Sequence, residues 1–234
     1  MARAQQSYRT LDFSIAVGPQ LHRMLRDRIV RNSLEPGARV SESEIAAEYS
    51  VSRQPVREAF IKLAEEGLVE VRPQRGTFVR KISRAAVMDA RFVREAIEAD
   101  IVKLLAERQS SELIAELRLQ IGAQAAAATA NTPLRFLELD ERFHRTLAEE
   151  AGKSYAWSVV EGVKVQMDRV RHLSAAHFPM NKLVEQHRQV VEAIASGDAV
   201  AADTQMRMHL REIVTDLPAI ADSRPEYFED RDLA

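Results

Sequence analysis

Asp140 and His144, in the run LDERFHRTL, are four residues apart. On a helix that spacing sets a carboxylate and an imidazole side by side, which is half of a metal site. His187 (EQHRQVV) and His209 (MRMHLRE) follow on two later helical stretches, 22 residues apart, and a helical hairpin of that length can turn both inward. One carboxylate with three imidazoles and no sulfur suits zinc, nickel, manganese or iron(II), and the donor set does not choose among them. Asp168 and His172 repeat the same spacing, and His22 and His177 are further imidazoles. Spacing alone does not separate the two Asp-His pairs.

A second chemistry lies nearer the start of the chain. Arg53 and Arg57 are also i and i+4, so they share one face of a helix. Either guanidinium could fork onto guanine O6 and N7 in a major groove, and Gln54 could read adenine or bind a phosphate. Ser52 and the helix N-terminus suit a phosphate, and Ser43 on the preceding helix could touch the backbone. Arg75 and Gly76 sit at the tip of a hairpin, where a side chain could enter a minor groove and the main chain could approach closely. The competing reading pairs Arg53 and Arg57 with Glu42 or Glu58 on a solvated face; the turn, cap and hairpin around them favour DNA.

The elements that must hold these residues can be read from periodicity. Residues 1–15 are polar and aperiodic, an expected mobile arm. Leu21, Leu25, Ile29 and Val30 recur at helical spacing until Glu35-Pro36-Gly37 breaks the run. Ser41 with Glu44 predicts a capping box opening a helix that buries Ile45, Ala46 and Tyr49. Ser52 predicts the cap of the next, with Pro55 in its first turn and Val56, Ala59, Phe60 and Leu63 as its buried face. Gly67 ends it. Leu68 to Val71 and Thr77 to Val79, joined by Arg72-Pro73-Gln74-Arg75-Gly76, predict a two-stranded wing. Residues 16–81 are therefore expected to be a winged helix-turn-helix, and residues 82–86 a linker.

Beyond the linker the pattern is helical throughout, over 84–108, 111–130, 133–151, 154–175, 180–196 and 198–217, with breaks at Asn131-Thr132-Pro133, Gly152, Pro179 and Gly197-Asp198. The Ala-rich stretch from Ala123 to Ala130 favours close helix packing and suggests no chemistry. The expected architecture is mainly α: the winged domain, then an all-α bundle of six or seven helices over residues 87–217, then a loose tail over 218–234.

Composition fits two joined modules. The formal net charge is only −2, but residues 16–81 carry 12 Lys+Arg against 9 Asp+Glu, net +3, while residues 82–234 carry 19 against 25, net −6; residues 1–15 add +1. The chain has no cysteine, which removes disulfides, thiolate ligands and thiol nucleophiles together. With no long apolar run at the start and none of the roughly 20 residues a membrane span requires, a cytoplasmic chain with no membrane partner is expected.

The front domain resembles the GntR family of bacterial transcription regulators. The resemblance rests on Pro36-Gly37, Ser41-Glu42, Ile45-Ala46, Val51-Ser52-Arg53-Gln54-Pro55-Val56-Arg57-Glu58-Ala59, Leu63, Glu66-Gly67-Leu68-Val69 and Arg75-Gly76-Thr77-Phe78-Val79. It implies a homodimer on a short inverted repeat of double-stranded DNA, with Ser52, Arg53, Gln54, Arg57 and Gly76 as contacts. The back domain is similar to the helical ligand-binding domain of the FadR subfamily, called FCD, through Arg94 to Glu98 (REAIE), Asp140, Phe143-His144, His187 and His209. That resemblance, unlike the spacing, selects Asp140, His144, His187 and His209 as ligands of one divalent ion, zinc foremost, and leaves Asp168 and His172 as wall or surface. Lys153 stands where the family usually has Asn, a difference expected to touch only a helix cap.

An octahedral ion with four protein ligands keeps open positions that a small carboxylate effector could fill. Arg94 could then clamp a second carboxylate oxygen, or pair with Glu98 at i+4. The expected function is an effector-controlled DNA-binding regulator and not an enzyme. A metal-dependent enzyme is the alternative, disfavoured because no H-E-x-x-H motif occurs and no general base stands beside the ligands. A purely structural metal is a third reading.

Overall fold

The computed structural model describes residues 11–175 and 179–229. The chain divides into two compact units: Met1–Ile82 together with Pro225–Ala234, and Ser83–Arg224. Two covalent connections therefore join them, at Ile82–Ser83 and Arg224–Pro225.

The first unit contains α1 (Val17–Val30), β1 (Arg39–Val40), α2 (Glu42–Glu48), α3 (Arg53–Glu65), β2 (Val69–Arg72) and β3 (Gly76–Val79). α1 and α3 bury the stripes their periodicity predicts: Leu21, Leu25 and Ile29 from one, Val56, Ala59, Phe60 and Leu63 from the other. Gly67 stops α3 at φ +69°, where an L side chain is strained. Its N–H bonds Ala64 O at 3.0 Å and the next N–H, of Leu68, bonds Leu63 O at 2.8 Å, the paired closure of a Schellman end. The chain then enters β2, which pairs antiparallel with β3 through Val69↔Val79 and Arg72↔Gly76.

Two features of this unit differ from expectation. The wing has a third strand, because β1 adds to β3 (Arg39↔Phe78, Val40↔Thr77) in the order β1-β3-β2. Ser41 and Ser52 occupy the N-cap positions, but neither hydroxyl bonds a backbone N–H; Ser41 Oγ meets Ser43 Oγ at 2.7 Å instead.

Among its described residues the second unit holds eight α-helices: α4 (Arg84–Arg108), α5 (Ser111–Thr129), α6 (Pro133–Glu150), α7 (Ser154–Val163), α8 (Val165–Leu173), α9 (Met180–Ser196), α10 (Ala199–Leu210) and α11 (Glu212–Ser223). Ser83, Ser110 and Asp198 cap α4, α5 and α10 through their side chains. The six expected patterns become eight helices because two break, at Lys164 and at Arg211. Lys164 is buried yet ion-paired to Glu141 at 2.7 Å and Asp168 at 2.6 Å. The core is one cluster running from Leu105, Leu117 and Phe136 to Val190, Ile194 and Met206.

The C-terminal stretch is not a loose tail as far as it is described. α11 continues through Pro218 to Ser223, and its buried Ile213, Leu217 and Ala221 continue the apolar face. Beyond a 3-10 turn at Pro225–Tyr227 the chain pairs with Ile82: Ile82 N–H to Tyr227 O at 2.9 Å and Glu229 N–H to Ile82 O at 3.0 Å. Phe228 is 1% exposed and Ile82 0%. Buried aromatic area outweighs the two prolines and the charges that suggested disorder. Among the described residues no helix is long and apolar enough to cross a membrane.

Candidate functional site

α6 turns Phe136, Leu139, Asp140, Phe143, His144 and Leu147 into the bundle. α9 contributes His187 and α10 contributes His209, both from buried faces. The side-chain donor atoms of Asp140, His144, His187 and His209 all lie within 4.8 Å of one another, and all four residues are buried. His144 Nε2 is 3.1 Å from His209 Nε2, and His187 Nε2 is 3.2 Å from the same atom. Two donors held on one ion at about 2.1 Å stand roughly 3.0–3.4 Å apart, so the spacing fits. Asp140 Oδ1 is buried with no hydrogen-bond partner and stands 3.6 Å from His187 Nε2. An ionised oxygen left so in a protein core is costly unless a cation takes it up.

The outward ring nitrogens are engaged. His144 Nδ1 lies 2.5 Å from Glu98 Oε2, His187 Nδ1 lies 2.7 Å from Gln124 Oε1, and His209 Nδ1 lies 3.1 Å from Gln186 Oε1. Phe143 stacks on His187 at 4.3 Å between ring centres. Burial pushes His187 down to about 3, against the opposing pull of Asp140. Burial, then the neighbouring His187 and His144, holds His209 well below the usual imidazole range. Both rings are therefore neutral at ordinary pH, the state a metal requires. Burial alone would raise Asp140, but the Arg171 guanidinium outweighs it and keeps the carboxylate ionised.

The other Asp-His pair stays apart from this cluster: Asp168 is held by Lys164. His22 pairs with Glu66 in the first unit at 2.6 Å. His177 lies outside the described residues. Lys153 is the N-cap of α7 and makes no side-chain cap.

Arg94 pairs with Glu98, its Nε donating to Oε1 at 2.6 Å, so the i+4 ion pair occurs. Its Nη1 meets the Met167 sulfur at 3.3 Å, a weak acceptor. Arg171, which the pattern of the sequence does not single out, donates to Asp140 Oδ2 at 2.5 Å. Both guanidiniums line a small cavity of about 40 Å³ with Met167, Leu183, His209, Ile213 and the carboxylates of Glu212 and Asp216, room for a few water-sized groups. Gln124 and Gln186 were equally hidden in the sequence. One sits in the Ala-rich run; its signal is that it is nearly the only polar side chain there. The other directly precedes His187.

In the first unit Arg53 and Arg57 project from α3, at 64% and 55% exposed side chains, and both bond Glu42: Arg53 Nη2 to Oε2 at 3.0 Å, Arg57 Nε to Oε1 at 3.2 Å. The ion-pair alternative is thus realised. Exposed pairs of this kind contribute about 0–1 kcal/mol, so a phosphate or base edge can displace Glu42. Gln54 donates to Glu58 at 3.1 Å. Ser43, Ser52 and Arg75 are exposed. Gly76 has φ +104°, where an L side chain is strained, and a Cβ there would stand 3.0 Å from Arg39 Nε. Arg72 lies over the Phe78 ring at 4.6 Å, adding a second cation to the wing that spacing did not reveal.

Comparison with known proteins bears on both units. Residues 19–79 match the family described as bacterial regulatory proteins, gntR family, and residues 89–212 match the FCD domain. The HTH-type transcriptional repressor RspR of Escherichia coli (strain K12) is 38% identical over 215 residues, 92% of this chain and 94% of that one. A protein named probable D-xylose utilization operon transcriptional repressor, from Paenarthrobacter nicotinovorans, is 31% identical over 210 residues, 88% of this chain and 90% of that one. Among solved structures, E. coli McbR/YncC has a TM-score of 0.73 at 17% identity, covering 89% of this chain and 99% of that one. A GntR transcriptional regulator from Rhodococcus sp. RHA1 has a TM-score of 0.71 at 24% identity, covering 86% and 97%. At those identities the two structures speak for the fold alone.

Proposed function

We propose, from the premise that this chain belongs to the gntR family of bacterial transcription regulators and carries its FCD domain, that its DNA binding is controlled from a metal-centred pocket in the helical unit. The observation that carries the reading is the buried Asp140 Oδ1, without a hydrogen-bond partner and facing three converging imidazole nitrogens. Asp140, His144, His187 and His209 would hold one divalent ion, with zinc first among the candidates that N/O donors suit. When bound, the ion would supply a fixed positive charge for an anionic effector.

The chain's own residues would do the rest. Arg94 and Arg171 present guanidiniums to the same cavity that His209 lines. A carboxylate oxygen is a far better acceptor for Arg94 Nη1 than the sulfur it now meets. Met167, Leu183 and Ile213 supply apolar walls, so a small carboxylate with an apolar body suits the space. The effector must bind one arrangement of the chain better than another, or nothing switches. On the output side, Arg53, Arg57 and Gln54 would read base edges or phosphates, Ser43 and Ser52 phosphates, and Arg75 with Gly76 the minor groove, in a homodimer on an inverted repeat.

The test is operator binding by zinc-loaded protein, titrated with a panel of small mono- and dicarboxylates. A carboxylate that changes operator affinity only when metal is present supports the reading. Operator affinity indifferent to metal and to every carboxylate contradicts it.

A further inference from the structure

Two of the three converging rings, His187 and His209, have their second nitrogen tied down by a hydrogen bond, and the ties determine which nitrogen carries the proton. Gln124 Nε2 donates to Leu139 O at 3.3 Å, which turns its Oε1 toward His187 Nδ1 at 2.7 Å. Gln186 Nε2 donates to Glu212 Oε2 at 3.1 Å, which turns its Oε1 toward His209 Nδ1 at 3.1 Å. Flipping either amide would face N–H at the ring and lose its other bond. A carbonyl oxygen only accepts, so each Nδ1 must donate; in a neutral ring Nε2 is then a bare lone pair. Glu98, ion-paired with Arg94, stands 2.5 Å from His144 Nδ1. The lone pairs of His187 and His209 thus face each other at 3.2 Å, an arrangement that is unfavourable in a low-dielectric core without a cation.

We propose that Gln124 and Gln186 are positioning residues that fix His187 and His209 with Nε2 turned inward and unprotonated, and that Glu212 at the start of α11 sets the Gln186 amide from outside. The inference rests on the metal reading above and deepens it. Gln124 is 0% exposed on an otherwise alanine-rich helix. A primary amide is buried there at a cost that packing does not explain but an imidazole partner does. Glu212 is also paired with Lys182, so the line Lys182–Glu212–Gln186–His209 runs from the surface to the cluster.

The experiment is a competition titration of metal-stripped protein with zinc against a chromophoric chelator. Wild type is compared with Gln124→Leu, Gln186→Leu and Gln124→Glu, with the circular dichroism and melting of each metal-free chain recorded alongside. The Leu variants are expected to bind zinc about 10–100-fold more weakly, the usual effect of removing a group that orients a ligand, while keeping the metal-free helical signal. Gln124→Glu keeps an acceptor at Nδ1 and is expected to retain most of the affinity. Wild-type affinity in both Leu variants overturns the proposal, as does equal loss in all three. If Gln124→Leu does not fold, Gln186→Leu and Glu212→Leu carry the same comparison. A wild-type chain that binds no zinc overturns the metal reading, and the positioning role with it.

Discussion

His144 and His209 face each other through their Nε2 atoms at 3.1 Å in the core of the helical unit. Gln186 accepts from the other nitrogen of His209 at 3.1 Å, and Glu98 stands 2.5 Å from that of His144. A cation shared between the two rings, with Asp140 and His187, would stabilise the folded unit by mass action. At a zinc concentration of 100 Kd the gain is about 2.7 kcal/mol. Removing the metal with a chelator is expected to lower the melting temperature of the helical unit. His187→Ala should lower it far less on chelation, and should weaken carboxylate binding at the same time. Calorimetry of both chains with and without chelator checks this, and a purely structural metal would leave carboxylate affinity untouched.

Glu42 holds both Arg53 and Arg57, and Arg57 before Arg53 keeps its carboxyl below the usual range against burial. Arg53→Ala and Arg57→Ala should each cost operator binding about 1–3 kcal/mol if they reach bases, and should reduce the salt slope by about 1 if they reach phosphates. Glu42→Gln removes the competing anion and is expected to tighten non-specific DNA binding at low salt. Fluorescence anisotropy over a salt series separates these outcomes. Unchanged operator binding in both arginine variants would mean α3 is not the reading helix.

Much of this was legible in the residues themselves. α3, its Gly67 stop and the wing strands follow from periodicity and turn chemistry, and the breaks at Asn131-Thr132-Pro133 and Gly197-Asp198 from their stop and start residues. What separated Asp140-His144 from Asp168-His172 was not spacing, since both pairs are i, i+4. It was the resemblance to the FCD domain; in the fold Lys164, four residues before Asp168, neutralises that carboxylate. Pairings between distant helices were not readable: Arg171 to Asp140 spans 31 residues and Gln124 to His187 spans 63. The break at Arg211 and the return of Phe228 to Ile82 were hidden for the same reason, because burial against distant residues overrides local polarity.

Glu95 in α4 accepts from Arg211, Arg91 and Arg207, and these bonds, Arg211 first, bring it down to about 2 against the opposing effect of burial. Its reference value is 4.5, so the folded form is the stronger acid. The stability it contributes is therefore full above pH 4.5 and is lost as pH falls toward 2. Glu95→Gln should cost about 1.5–3 kcal/mol at pH 7 and flatten the acid limb of the stability curve. Urea titrations of both chains between neutral pH and pH 3 test it; parallel curves would remove Glu95 from the account.

Phe228 fills a buried site in the first unit beside Ile82. Phe228→Ala should destabilise that unit by about 3–5 kcal/mol, the usual cost of emptying a core aromatic site. Ending the chain at Arg224 should do at least as much. Hydrogen exchange should show lost protection on the Ile82 amide, which bonds Tyr227 O, with the helical unit unaffected. Unchanged protection would mean the C-terminal stretch adds nothing to the winged unit.

The central claim is that the cluster of Asp140, His144, His187 and His209 is a metal centre. Elemental analysis of protein purified without chelator, joined to anomalous scattering from its crystals, addresses it most directly. The account predicts a divalent ion in each chain at that cluster, touching His Nε2 atoms and the Asp140 carboxylate. Protein without metal, or metal bound elsewhere while these four side chains hold only one another, would contradict it.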